Sequence, residues 1–247
     1  MKKQSCLFLI LFFLGSIIFA QTLSILSTDP NDEEPVTGRF ELLQNRFGGV
    51  TITGYKGTEK TVEIPETIGG LPVTIIGNRA FFRKDLSAVT IPETVVTIEP
   101  LAFAENQLQT ANIPGCVSIG YEAFAGNQLT SLILSEQLSS IGPRAFINNK
   151  LAAITLPGKI TNIGKDAFAG NPLTSITVGL NRNLFVSQGF ELSFVNYYIS
   201  MGRRAGVYIK DDRVWSLREP PTSPNGRSVQ VLPTNPNGQV LEKSDKD

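Results

Sequence analysis

The chain has 247 residues, 41% of them apolar, with 22 basic and 22 acidic side chains and no histidine. Without histidine there is no Ser-His-Asp or Cys-His nucleophile system and no histidine metal site, and a balanced charge offers no basic surplus for nucleic acid. Of the two cysteines, Cys6 lies in an N-terminal leader segment. Cys116 then has no internal partner, and stability has to come from a packed core instead of disulfides.

The opening MKKQSCLFLILFFLGSIIFAQ has a two-lysine head, an apolar run from Leu7 to Ala20 and a small residue at the predicted cut. This is the pattern of a secretory signal peptide over 1–20, too short for a comfortable transmembrane helix. Ile18 is larger than the small residue usual three positions before a cut, so an uncleaved anchor is the alternative. Cys6 precedes the apolar run instead of following it, which argues against a lipoprotein signal. Removing Lys2 and Lys3 leaves 20 basic against 22 acidic residues, a net charge of about −2, with no stable membrane span after cleavage. The expected destination is the cell surface, the periplasm or the medium.

Residues 21–39, with DPNDEEP in their middle, have no apolar period and read as a flexible leader. From Phe40 the pattern alternates: FELL, a turn at NRFGG, VTITGY, a turn at KGTEK, then TVEIP. This predicts an antiparallel pair that covers the open end of the repeats beginning at Leu86, the whole of 40–85 being an N-terminal cap with a first irregular repeat. That repeat, IPETIGGLPVTIIGNRAF, carries about five extra residues around Gly69–Pro72.

Over 86–178 a unit of about 22 residues returns four times and begins a fifth: LSAVTIPETVVTIEPLAFAENQ, LQTANIPGCVSIGYEAFAGNQ, LTSLILSEQLSSIGPRAFINNK, LAAITLPGKITNIGKDAFAGNP and LTSITV. Phe81, Phe103, Phe124, Phe146 and Phe168 are 22, 21, 22 and 22 residues apart. A fixed period in this range marks a solenoid, each unit a coil that buries its apolar side only by stacking on its neighbours. The β-branched start, stopped by proline, predicts one short parallel strand per coil. The second half predicts an extended piece, a glycine turn at Gly120, Gly142 and Gly164, and a stacked internal column of phenylalanine rings. Asn106, Asn127, Asn149 and Asn171 recur before each returning leucine, where a carboxamide can both donate and accept at a buried corner. They are expected to form a structural ladder.

The consensus L-x-x-I-x-I-P-x-x-V-x-x-I-G-x-x-A-F-x-x-N resembles the leucine-rich repeats of the bacterial BspA-like class, which also occur in spirochaete surface proteins. The resemblance covers 62–178, with departures at Ser135, Glu99 and Lys84. It implies a leucine-rich-repeat solenoid in a surface protein engaged in adhesion or contact with host or neighbouring-cell proteins.

After Val178 the period is lost. FVSQGFELSFVNYYISMGRR carries Phe190, Phe194, Val195, Tyr198 and Ile199 near helical spacing, and AGVYIKDDRVWSL reads as strand, turn at Asp211 and Asp212, strand. A helix plus hairpin over 179–218 predicts a C-terminal cap, and GRRAGVYIKDDRVWS resembles the closing segment of spirochaete members of the family. Residues 219–247 are rich in Pro, Asn, Gly and charge and read as a disordered tail. Leu232, Pro233 and Thr234 begin like a sortase signal, but Asn235 stands where glycine is required and no apolar anchor comes after it.

Several residues invite chemistry. Glu66 and Glu93 hold equivalent places in adjacent coils, yet two solvated turn residues explain them as well. Cys116 reads as a small core residue. Trp215, Tyr197, Tyr198 and Tyr208 could stack on a sugar or close the cap, and Arg203 and Arg204 could meet an anion or sit in a turn. What remains is the strand face, where the side-chain period of two turns the third and fifth positions outward. These are Thr61 and Glu63, Ala88 and Thr90, Thr110 and Asn112, Ser131 and Ile133, Ala153 and Thr155, Ser175 and Thr177. Charge is uneven around it: five glutamates alone from 86 to 143, then Arg144, Lys150, Lys159 and Lys165 against Asp166 up to residue 166. The expectation is a non-catalytic module without metal or cofactor that binds an extracellular or surface protein along this face. The alternatives are a passive or self-associating envelope scaffold and, after it, a glycan-binding protein.

Overall fold

A computed structural model of the chain describes residues 36–179, 185–186, 189–190, 192–201 and 205–218. The expected signal segment, nearly all of the leader, Arg203 and Arg204, and the tail lie outside the described residues.

The chain winds as a solenoid whose coils carry two strands each, not the single strand predicted. On the front lie β3 (Thr61–Glu63), β6 (Ala88–Thr90), β8 (Thr110–Ile113), β10 (Ser131–Leu134), β12 (Ala153–Leu156) and β14 (Ser175–Val178). On the back the V-x-x-I-G half supplies β5 (Leu71–Ile76), β7 (Thr97–Ile98), β9 (Ser118–Ile119), β11 (Ser140–Ile141), β13 (Asn162–Ile163) and β15 (Phe185–Val186). Two-residue strands carry too little alternation to be read from sequence. Stacking makes them: Thr97, Ser118, Ser140 and Asn162 stand in register as one parallel ladder.

The N-terminal hairpin, β1 (Phe40–Gln44) with β2 (Val50–Tyr55), joins this back sheet through a parallel pairing of β2 with β5. The extra residues of the first repeat fold as a tight pair, β4 (Thr67–Ile68) against β5, turning through Gly69 and Gly70 at φ 60° and 77°. The front is interrupted, with separate ladders β3–β6, β8–β10 and β12–β14. The last continues antiparallel into β16 (Gly206–Asp211) and β17 (Val214–Arg218). The turn between those two is centred on Asp212 and Arg213, one residue later than expected, both with positive φ as a type I′ turn requires.

Phe81, Phe103, Phe124, Phe146 and Phe168 form one buried column with ring centroids 5.0–5.4 Å apart and planes within 8–19° of parallel. The column does not stop where the sequence period was lost. Phe190, 22 residues after Phe168, stacks on it at 5.0 Å and 9°. Phe190 therefore belongs to a sixth coil and not to the helix, which is α1 (Leu192–Ser200) and buries Phe194, Val195 and Tyr198 while leaving Ile199 exposed. That coil keeps L-x-x-I-x-I as LTSITV but carries GLNRNLFVSQG in place of P-x-x-V-x-x-I-G-x-x-A, and this hid it.

Each phenylalanine from Phe81 to Phe168 is flanked by left-handed residues. Leu101 and Glu105 around Phe103 have φ 61° and 56°, and Arg144 and Asn148 around Phe146 have φ 56° and 55°. Such φ costs a non-glycine residue about 1–2 kcal/mol. The return is a third ladder, in which Leu101, Phe103 and Glu105 donate their N–H groups to the carbonyls of Tyr121, Ala123 and Ala125 at 2.8–2.9 Å. A buried turn thereby satisfies its donors against the next coil.

The glycines permit the close approach. A Cβ on Gly142 would come within 2.6 Å of the Gly120 carbonyl carbon. Where Glu99 replaces this glycine, its carboxylate accepts the Asn78 N–H at 2.8 Å.

Candidate binding face

The asparagines work between coils. Asn127 donates from Nδ2 to the Phe103 carbonyl of the preceding coil (2.9 Å) and to its own coil's Phe124 carbonyl (3.1 Å), while Oδ1 accepts the Leu108 N–H (3.1 Å). Asn106, Asn149 and Asn171 repeat the arrangement. The carboxamide replaces the partners that three main-chain groups would otherwise lack. Lys84 stands in this column at the coil where no equivalent repeat precedes it to be tied.

On the front face Val62, Ala111, Ile154 and Ile176 point into the core, and their neighbours face outward. Thr90, Thr110, Asn112, Ile133, Ala153 and Thr155 are exposed, and Ser131 is half-buried. Ser175 and Thr177 are also only half-covered, because β16 lies alongside β14 with Ile209 opposite Ser175 and Val207 opposite Thr177. The open part of the face thus runs from β3, where Thr61 and Glu63 are exposed, over β6, β8, β10 and β12. Ile133, 45% exposed and opposite Asn112, is the one large apolar side chain among these outward positions. Nothing in its period set Ile133 apart from the hydroxyl and amide residues beside it.

The other candidates separate. Cys116 is fully buried, and burial pushes its thiol up to about 12. Tyr198, Tyr208 and Trp215 are buried around Phe194, with Trp215 and Tyr208 edge-on to that ring at 5.0 and 5.4 Å, so they close the core and present no ring face for a sugar. Tyr197 is half-buried and its hydroxyl accepts the Leu217 N–H. Glu66 and Glu93 are both exposed. Among the described residues no group of three or more acidic or cysteine side chains could hold a metal.

The uneven charge is partly answered across coils. Arg144 pairs with Glu122 at 2.7 Å, Lys150 donates to the Gln128 side chain at 3.2 Å, and Lys159 donates to the Gln137 side chain.

Six consecutive units over residues 74–193 match the BspA type Leucine rich repeat region family. The repeat region is a BspA-type leucine-rich repeat. The match takes in the coil of Phe190 and thus agrees with the ring column on a unit beyond Val178. Among solved structures, the chain is similar to the T. pallidum leucine rich repeat protein TpLRR at 26% identity and TM-score 0.53, over 64% of this chain and 83% of that one. It is also similar to a leucine-rich repeat protein from Bacteroides ovatus at 30% identity and TM-score 0.53, over 62% of this chain and 42% of that one. No curated protein matches the chain. BspA-type leucine-rich repeat proteins are typically surface-associated, protein-binding and non-enzymatic. Among the described residues no helix is long and apolar enough to cross a membrane.

Proposed function

We propose that the chain is an exported, non-catalytic module that holds a protein partner along the open front face. The reading rests chiefly on one observation: four successive coils turn small, uncharged, mostly exposed side chains to the front, in register between β8 and β10, with Ile133 as an apolar anchor among them. Coils stand about 4.8 Å apart, so a partner lying across them makes many shallow contacts and enters no pocket. A single exposed isoleucine amid hydroxyls and an amide is the arrangement in which one desolvated side chain carries much of the affinity. The family's surface association supports adhesion or cell contact as the setting.

Alternating charges placed on adjacent strands attract instead of repelling, so the triple change Thr110→Arg, Ser131→Glu, Ala153→Arg blocks the face without unsettling the fold. Binding to extracellular-matrix and cell-surface proteins should fall at least tenfold at an unchanged thermal midpoint, and Ile133→Ser alone should account for much of it. Binding that survives the triple change overturns the reading. A protein that binds no surface protein but self-associates through its ends is the scaffold instead.

A further inference from the structure

The first coil departs from the repeat at one corner. Where later coils have Ala-Phe followed by Ala104, Ala125, Ile147 or Ala169, then Glu105, Gly126, Asn148 or Gly170, and then asparagine, this coil reads Ala80-Phe81-Phe82-Arg83-Lys84, with Arg79 just before. Phe81 keeps its place in the column, but Phe82 turns outward and is half-buried. The Arg79 and Arg83 guanidiniums both lie over its ring, at 5.6 and 5.0 Å from the centroid. Both arginines sit at left-handed positions, φ 57° and 53°, and both are exposed.

The nearby carboxylates are engaged elsewhere. Asp85 pairs with Lys60 at 3.3 Å, and Glu99 accepts the Asn78 N–H. Glu105, one coil on from Arg83, leans over Gly126, where its Oε1 fills the space a Cβ would need. Among the described residues no carboxylate lies within ion-pair distance of Arg79, Arg83 or Lys84.

We infer that Arg79 and Arg83, stacked on Phe82, form a binding site for a sulfated polysaccharide, separate from the front face. A guanidinium stacked on a phenyl ring is held in orientation while its N–H edge stays free, and that edge matches the paired oxygens of a sulfate. Two such forks on one ring suit a chain that carries an oxyanion on successive units. Both guanidiniums lie over the Phe82 ring, so the corner presents charge where a protein interface needs an apolar centre. Asp85, Glu99 and Glu105 border it on the same and the next coil, which disfavours a broad anionic surface such as a bilayer.

The test measures the affinity of the purified protein for dextran sulfate, with neutral dextran, poly-glutamate and DNA alongside. Arg83→Gly suits a left-handed position that Gly126 and Gly170 already occupy, and Arg79→Asn keeps a residue tolerant of that φ, so folding is not at risk. The pair should weaken dextran sulfate binding at least tenfold and reduce its salt dependence. Arg79→Lys with Arg83→Lys keeps the charge but loses the stacked fork and should still lose several-fold, whereas Lys150→Gln with Lys159→Gln should change nothing. The front-face triple variant should bind dextran sulfate normally, which separates failure here from failure of the protein-binding reading. Unchanged affinity in the Asn/Gly pair, no preference over neutral dextran, or equally tight poly-glutamate or DNA overturns the proposal. Full affinity in the lysine pair overturns the fork.

Discussion

In the middle of the stack each coil is covered on both sides by near copies of itself, whereas at either end one side has no copy and other chemistry takes its place. Phe124 lies between Phe103 and Phe146, all three rings nearly parallel and fully buried. At the start Phe81 meets Phe40 edge-on at 6.2 Å and Tyr55 tilted at 5.4 Å; at the finish Phe190 meets Phe194 edge-on at 5.1 Å. Parallel stacking propagates and edge-on contact stops it. Both ends place an edge-on ring where the column must terminate, although one comes from a hairpin and the other from a helix.

This difference predicts that the ends, not the centre, hold the stack together. Deleting residues 22–60 removes β1 and β2, uncovers the open side of β5 and exposes Phe81, which should abolish soluble folded protein. Removing 220–247 should leave the thermal midpoint where it was. Within the column, Phe124→Ala leaves a cavity walled by two rigid neighbours and should cost about 3–5 kcal/mol in chemical denaturation. Equal losses for Phe124→Ala and Phe190→Ala would blur the distinction, since Phe190 has a repeat ring on one side only. At the corners Asn127→Ala should cost about 1–3 kcal/mol, because the Phe103 and Phe124 carbonyls and the Leu108 N–H are left without it. Its melting should not respond to a chelator.

The sequence spoke clearly where an element repeats and faintly where it depends on the stack. The period of Phe81 to Phe168 is enough to specify parallel coils, since no other arrangement buries a ring every 22 residues on one line. An asparagine at every corner signals main-chain groups in need, but not that its bonds run between coils. The back strands and the left-handed ladder left no mark, because Thr97–Ile98 is a strand only through Ser118–Ile119 beside it, and Arg79, Leu101, Glu122, Arg144 and Asp166 share a conformation without sharing chemistry. Phe190 was on the beat and still missed, as the stretch between LTSITV and the ring had lost its landmarks. The arginines around Phe82 could have been found by asking where a repeat that tolerates little variation breaks its own rule.

Alkali offers the subtlest separation of middle from end, because each holds one buried acid that titrates late. Burial pushes the Cys116 thiol, in the middle, up to about 12. Tyr55, in the N-terminal cap, is raised to about 12 by burial first and then by its hydrogen bond to the Glu59 carboxylate. Both groups are neutral when protonated, and both have folded values above the unfolded ones of roughly 8.5 for cysteine and about 10 for tyrosine. Their stabilising contributions are therefore complete below those unfolded values and are lost as pH rises towards the folded ones. Unfolding free energy should begin to fall just above pH 8.5 through Cys116 and steepen above about pH 10 as Tyr55 joins. Cys116→Ala should remove the first part of the slope and make the second shallower, whereas Tyr55→Phe should leave the first part and remove only the steepening above about pH 10, with little change in slope for either below pH 8. A Tyr55→Phe protein whose cap amides exchange in alkali as fast as those of the parent would show that the N-terminal end does not yield through this hydroxyl.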